Sequence, residues 1–266
     1  MSEELKNMAE GAAKGIAEAV PVYDDLLKPA SQELGKSLNT LAKTVNVALS
    51  PLAGLVWGYE KISAYVQKSL EAKLKNVPPE DIITPDISIA GPTLEAMRYT
   101  AHKEDLREMF VNILATSMSA KSQKNAHPSF VEILKQLNSD EALIIKSFNN
   151  NDPKPILKVR IYGTEDKNYY SEPLVNFSGI PYISGCLYPE LGPSYIENLE
   201  RLSLVDIDYN VYHTVPNSYD FIENHEVIRE WKAYADSIQR RIEIMQGVIT
   251  ITPFGEVFIS TCVKES

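Results

Sequence analysis

Hydrophobic residues recur at alternating steps of three and four in two distant parts of the chain. The first set comprises Leu34, Leu38, Leu41, Val45, Ala48, Leu52 and Leu55. The second comprises Ile228, Trp231, Ala235, Ile238, Ile242 and Met245, with Phe221 and Asn224 extending it upstream. This spacing is typical of a helix that packs along another helix. It predicts N-terminal helices within residues 1–75 and a long helix over about residues 218–246, paired either within the chain or between two copies.

Between these two sets, four prolines interrupt the helical pattern and predict an extended connector over residues 76–92. A helical core region is expected over residues 93–137. Thr93 to about Ser119 reads as one long helix with its apolar residues mainly on one face. Asn138 and Glu141 have the spacing of a capping box, so a new helix is expected to begin there.

After this helix the pattern changes to alternating hydrophobicity. The stretch PILKVRIYG and the alternating run from Val205 to Tyr212 read as strands, and GVITITPFGEVF reads as a strand followed by a helix that starts at Pro253. The order of these elements is that of a winged helix: helix, strand, short helix, strand, insertion, strand, helix. The predicted fold is therefore mainly α with a small β component: an N-terminal helical bundle, then a winged-helix-like α+β domain at residues 138–266 with the long helix inserted.

The charge balance disfavours nucleic acid as a partner. The chain has 266 residues, with 26 Lys+Arg against 36 Asp+Glu and a net charge of -10. An acidic surface repels phosphate backbones, and the candidate reading helix, Tyr195 to Leu204, is itself net negative. A DNA-binding regulator therefore remains an alternative rather than the favoured reading. The N-terminal residues MSEELKNM lack the pattern of a secretory signal, so a cytoplasmic location is expected.

Candidate chemistry is sparse. None of the four histidines lies three or four residues from another, and Cys186 and Cys262 fit no metal or redox spacing, so no metal, cofactor or disulfide is expected. Arg98, His102 and Asp105 would share one face of the predicted helix and are weak candidates for acid–base catalysis. A solvated face with ion pairs is the favoured interpretation of these three residues. The sequence thus leans against an enzyme without excluding one.

An uncharged run between Lys43 and Glu60 raises the question of a membrane. As one helix, Thr44 to Tyr59 would span about 24 Å, less than the roughly 30 Å of a hydrocarbon core, and Pro51 divides it. Gly54, Leu55, Trp57 and Gly58 form a notch suited to close helix packing. Buried packing is favoured. The alternative is a membrane-perturbing effector that uses Val45–Tyr59 on activation, without a permanent span.

Several blocks in this order resemble the bacterial Abi-alpha family, over about residues 49–263. They are SPLAGLVWGYEKI, AGPTLEAMRYT, LREMFVNILATSM, AHPSFVEILKQLNSDEA, YIENLERLSLVDI and ITPFGEVFISTCV. The resemblance implies a cytosolic bacterial protein in defence against phage by abortive infection. It implies no catalytic residues.

The favoured hypothesis is a non-enzymatic interaction protein of antiphage defence that acts through helical contacts. A protein partner or self-association is expected. The candidate contact residues lie on the second hydrophobic set: Asn224, Ile228, Trp231, Ile238 and Ile242.

Overall fold

The computed structural model describes residues 59–100, 102–148, 152–163 and 169–264. The described chain divides into two compact units, with the boundary between Lys135 and Gln136. Helices build the first unit, and the second combines helices with a β-sheet. The predicted combination of helices with a smaller β part is therefore confirmed, while most of the predicted N-terminal bundle lies outside the described residues.

Four helices account for the described part of the first unit: α1 (Tyr59–Leu74), α2 (Ile87–Thr100), α3 (Glu104–Ser117) and α4 (Pro128–Gln136). The core lies where α1, α2 and α3 meet. Its fully buried side chains include Val66, Leu70, Met97, Leu106, Met109, Phe110 and Ile113. The three- and four-residue spacing of these side chains along each helix places them on the inner face.

The prediction of one helix from Thr93 to about Ser119 is wrong at its start and in its middle, while its predicted end lies within two residues of the observed end at Ser117. Asp86 caps a helix that begins at Ile87, because its carboxylate accepts the Ser88 N–H at 2.7 Å. Pro92 therefore lies inside α2 and not in a connector. Lys103 adopts an extended conformation that separates α2 from α3.

The second unit begins with α5 (Ser139–Lys146), β1 (Lys154–Tyr162), β2 (Tyr170–Ser178), α6 (Ile180–Ile183) and α7 (Gly192–Arg201). It continues with β3 (Val205–Asp208), α8 (Asp220–Glu223), α9 (Glu226–Ser237), β4 (Ile242–Ile251) and α10 (Pro253–Phe258). A π-helical turn, Ile259–Val263, follows α10 directly. The predicted capping box is confirmed: Asn138 accepts the Glu141 N–H at 2.8 Å and Glu141 accepts the Asn138 N–H at 2.7 Å.

Within the described part of the chain, four antiparallel strands form one sheet in the order β2-β1-β4-β3. Sequence patterns predicted β1, β3 and β4 but missed β2. This strand contains Pro173, which argues against a strand in the sequence, and it carries Asn176 at a left-handed φ of 55°. Both are tolerated because β2 lies at the edge of the sheet and pairs irregularly with β1.

The prediction of one long inserted helix over residues 218–246 is also wrong, because α9 ends at Ser237. Gln239 adopts a left-handed conformation with φ 53°, and the Arg240 N–H bonds to the Ala235 carbonyl at 2.9 Å. These contacts form a Schellman-type helix end. Ile242 to Met245 belong instead to β4, where they pair with β1.

The third strand is shorter than its alternating sequence predicts. The Asp208 carboxylate accepts the Asn210 N–H at 2.7 Å, a local turn that ends the ladder after Asp208. Residues up to Tyr212 continue the alternation in sequence without pairing in the sheet.

Candidate interaction surface

Helix α9 has one face against the sheet and one face towards solvent. Ile228 and Ala235 are fully buried and pack in a core with Leu157, Val159 and Ile161 of β1. The second hydrophobic set therefore pairs with its own sheet, because strand residues two apart lie on the same face of that sheet. Of the predicted contact residues, Ile228 is therefore buried in this core.

The other predicted contact residues fall at different places on the same unit. Asn224 ends α8 and donates from its side chain to the Asp220 carbonyl at 2.8 Å, and Ile242 is a half-buried residue of β4. Trp231 and Ile238 lie on the outer side of the core, where they line an open groove. These two are the predicted contact residues that the structure brings together.

The groove lies between α9 and the β1–β2 hairpin and has a volume of about 840 Å³. We call it the α9 groove. Its lining residues are Ile161, Ser171, Pro173, Glu230, Trp231, Tyr234, Ile238 and Arg240. Helical spacing aligns Glu230, Tyr234 and Ile238, since each lies four residues after the previous one.

Aromatic and aliphatic side chains dominate the helical wall of the groove. The Trp231 and Tyr234 rings meet edge to face, with their centroids 5.7 Å apart. Tyr234 is 51% exposed and Ile238 37% exposed. Rigid aromatic side chains with a polar tip are the residues that most often dominate protein–protein contacts, so this arrangement suits a protein ligand.

A second feature, on the opposite face of the sheet, is a cluster of cations and tyrosines. Glu172 receives Arg160 at 2.7 Å and Lys158 at 3.0 Å. The Arg160 guanidinium stacks on the Tyr170 ring at 3.8 Å, and Lys158 lies 4.6 Å from the Tyr209 ring centroid. Hydrogen bonding to Arg160 holds the pKa of Glu172 below its ordinary value, and the contact with Glu172 raises the pKa of Arg160. Lys158 and Arg160 are thus both paired with Glu172 within the sheet.

The candidate catalytic residues lie on three separate segments. Arg98 is on α2, His102 is exposed in the link after it, and Asp105 is in the first turn of α3. The premise that one helix face carries all three is wrong, because the chain is extended at Lys103. Their catalytic role stays a prediction.

Two histidines hold helix starts. The Nδ1 atom of His127 accepts the Ser129 N–H at 3.1 Å, as expected for a side chain capping α4, and Nδ1 of His225 accepts the Val227 N–H at 3.4 Å at the start of α9. Over the described residues, no group of three His, Cys, Asp or Glu side chains is placed to hold a metal ion.

Gly54, Leu55, Trp57 and Gly58 lie outside the described residues, and so does the Val45–Tyr59 segment up to Gly58. In the part of the chain that is described, we find no helix with both the length and the apolarity needed to cross a bilayer. The membrane-perturbing role of Val45–Tyr59 therefore stays a prediction.

Sequence reasoning missed six contributors to the groove: Ile161, Ser171, Pro173, Glu230, Tyr234 and Arg240. Tyr234 was predictable from the sequence, since it lies three residues after Trp231 and four before Ile238 and so shares their side of the helix. Pro173 was not, because it belongs to the strand that the sequence patterns failed to predict.

Comparison with known proteins gives one family and one solved structure. No curated protein matches the chain. A solved structure of an uncharacterized protein from the hydrocarbon-degrading marine bacterium Alcanivorax borkumensis SK2 aligns with a TM-score of 0.38 and 15% identity, covering 51% of this chain and 92% of that one. This likeness is too low to support an argument. The model of the family described as abortive infection alpha matches residues 58–262, which is most of the chain, and the protein therefore belongs to the abortive infection alpha family.

Proposed function

We propose that this protein is a non-enzymatic interaction protein of bacterial antiphage defence, acting in the cytoplasm in an abortive-infection response. Family membership supports the setting. The α9 groove supports the mode of action, because it presents Trp231, Tyr234 and Ile238 beside a sheet that holds them in place. Its occupant is a protein partner or a second copy of the chain.

The groove is built for contact more than for chemistry. Its polar lining side chains are Ser171, Glu230 and Arg240, together with the Tyr234 hydroxyl. This set contains no histidine, cysteine or lysine, the side chains that most often act as catalytic bases or activated nucleophiles. Aromatic residues surrounded by a polar rim are the composition of a protein-binding site.

We also infer that residues 136–264 form a winged-helix variant. The order α5, β1, α6, α7, β3, β4 supports this, as does the position of β4 between β1 and β3 in the sheet. In this interpretation β2 is an additional edge strand, and α8 and α9 occupy the connection where a wing tip belongs. A fold does not determine a function, so the function must be inferred from the residues of the site.

Two contacts argue against a role in reading DNA. The reading helix of such a variant would be α7, whose Asn198 and Arg201 are side-chain types that contact base edges. Asn198 donates to Glu141 at 2.7 Å, and Arg201 donates to Gln136 at 3.0 Å. Both side chains are occupied within the unit, so we favour a scaffold that binds protein.

The experiment is a phage challenge of cells that express the wild type or single variants. Ile238→Asp and Tyr234→Ala disrupt the groove, and Lys232→Ala, an exposed neighbour on α9 outside the groove lining, is the matched control. We expect wild type and Lys232→Ala to protect and both groove variants to lose protection at unchanged expression and melting temperature. Protection by correctly folded groove variants, or none by wild type against a broad phage panel, would overturn the proposal.

A further inference from the structure

An apolar segment begins at Ile183, the last residue of α6, and continues to Leu191. Its exposed large side chains are Ile183, Leu187, Tyr188 and Leu191, and we call this set the apolar loop. Ile183 is 72% exposed and Leu187 74% exposed. Single exposed apolar residues are ordinary on protein surfaces, but four within nine residues concentrate exposed apolar side chains on one short segment, and such a concentration is a candidate interaction site.

The apolar loop is held in one shape by contacts on its buried side. The Asp140 carboxylate accepts the Leu187 N–H at 2.8 Å and the Tyr188 N–H at 3.0 Å. The Cys186 N–H bonds to the Pro181 carbonyl at 3.1 Å. A loop that is already ordered loses little conformational freedom on binding, so its exposed side chains are prepared for a partner.

The ends of the loop are also joined. Gly192, at the start of α7, lies so close to Pro181 that a Cβ atom at Gly192 would stand 2.5 Å from the proline Cγ. Glycine permits this approach. The loop is therefore a fixed protrusion of the unit.

The apolar loop lies next to the start of α9, and the α9 groove extends from Glu230 in this helix to Arg240 beyond its end. The ring of Tyr182, which precedes Ile183, is 4.7 Å from the ring of His225 at the start of α9. Ile238, in the groove, follows the last residue of this helix. Twelve helical residues separate the two ends by about 18 Å. None of the apolar-loop residues is among those that line the groove of the same chain.

The charges of the two surfaces are complementary. Glu190 is the one charged residue in the sequence from Gly179 to Tyr195. The groove carries the acidic Glu230 on α9 and the exposed Arg240 next to Ile238, and Arg241 beside it pairs with Glu243 at 3.7 Å. Glu190 on the apolar loop and Arg240 at the Ile238 end of the groove are therefore an opposite-charge pair, one on each surface.

We propose that the apolar loop of one copy binds in the α9 groove of a second copy, with Glu190 beside Arg240. This inference rests on the proposed function, since it names the occupant of the groove. Because the two surfaces differ, each copy uses its groove on one side and its loop on the other. Such a heterologous contact joins copies head to tail and continues into a ring or a filament.

The first test measures the mass of the full chain in solution over the micromolar range. Leu187→Asp removes the loop contact and Ile238→Asp removes the groove contact, and melting temperatures establish that each variant is folded. We expect wild type to assemble with rising concentration and each variant alone to stay monomeric. An equimolar mixture of the two variants is expected to give a heterodimer that grows no further, because each variant retains one intact surface. Monomeric wild type, or assembly of a folded single variant to the wild-type mass, would overturn the inference.

A charge exchange tests the register of the contact without adding charge to an apolar position. We expect Glu190→Arg or Arg240→Glu alone to weaken association about tenfold and the double variant to recover most of it, since close charge pairs are strongly coupled. Equal weakening in all three variants would contradict the pairing of Glu190 with Arg240. If wild type is monomeric while groove variants lose phage protection, the proposed function stands and the groove binds another protein. If assembly follows the expected pattern while protection survives, the proposed function fails independently.

Discussion

The Tyr195 hydroxyl donates a hydrogen bond to Oδ2 of Asp140 at 3.1 Å. Both residues are buried, Asp140 in the first turn of α5 and Tyr195 in α7. The same carboxylate holds the backbone of the apolar loop, so two helices and the protruding loop meet at one side chain. Burial and this contact with Asp140 raise the pKa of Tyr195 to about 12, which keeps its hydroxyl protonated as a donor.

We expect Asp140→Asn to destabilise the protein by about 1–3 kcal/mol. An amide has one acceptor oxygen where the carboxylate has two, and its NH₂ group would face a backbone donor. Chemical denaturation measures the change in unfolding free energy. The control is Asp206→Asn on the exposed side of β3. Equal unfolding free energies for the two variants would show that the Asp140 network contributes nothing measurable.

We expect Gly192→Ala to destabilise the protein by roughly 1–3 kcal/mol, because the added methyl group would overlap the ring of Pro181, which is buried in α6. Gly91→Ala is a control that is expected to stabilise the protein. Apart from its chain neighbours and the backbone of its own helix, no described atom lies within 4 Å of a Cβ at Gly91, and alanine favours helix there by about 0.5–1 kcal/mol. Thermal melting of the two variants measures both effects, and a Gly192→Ala protein as stable as wild type would contradict the close approach.

Glu172 gives the stability a specific dependence on pH. Since contact with Arg160 lowers its pKa below the ordinary 4.5, the ionised side chain stabilises the fold above that value. The contribution is lost as pH falls from 4.5 through the lower pKa of the folded protein. We expect Glu172→Gln to be less stable than wild type at pH 7, with the difference shrinking towards pH 3, as measured by urea unfolding across this range. A difference that is constant with pH would contradict this assignment.

The two cysteines are expected to react slowly with thiol reagents while the protein is folded. Burial raises the pKa of Cys186 to about 11 and raises that of Cys262 well above its ordinary value. At pH 8 the thiolate, which is the reactive form, is therefore scarce at both positions. Iodoacetamide labelling followed by mass spectrometry should modify both residues in denaturant and neither rapidly without it. The Cys186 rate in the folded protein should still be rising between pH 9 and 10, and a plateau below pH 9 would contradict the raised pKa.

Local sequence was sufficient where short-range chemistry decides the structure. Asn138 and Glu141 are three residues apart and satisfy each other's backbone donors, so the start of α5 was predicted from spacing alone. The strands β1 and β4 and the helix start at Pro253 were predicted for the same kind of reason. Alternating hydrophobicity in a strand and a proline in the first turn of a helix both depend on the local backbone geometry.

Local sequence failed where a distant partner overrides the local preference. The spacing of Ile238, Ile242 and Met245 fits a helix, yet Ile242 and Met245 pair with Ile161 and Lys158 across the sheet. Likewise, β2 exists because β1 offers its edge, despite Pro173. Pairing supplies long-range hydrogen bonds that a periodicity pattern does not contain.

The sequence by itself determined the family, the acidic charge, the helix caps and the apolar positions of α9. Only the tertiary structure decided which of those positions are free. Ile228 and Trp231 are equivalent in the sequence pattern, but the sheet buries the first and leaves the second beside an open groove. The physical reason is that a helix on a sheet buries one stripe of its surface, and the position of the neighbouring strands sets which apolar residues lie within that stripe.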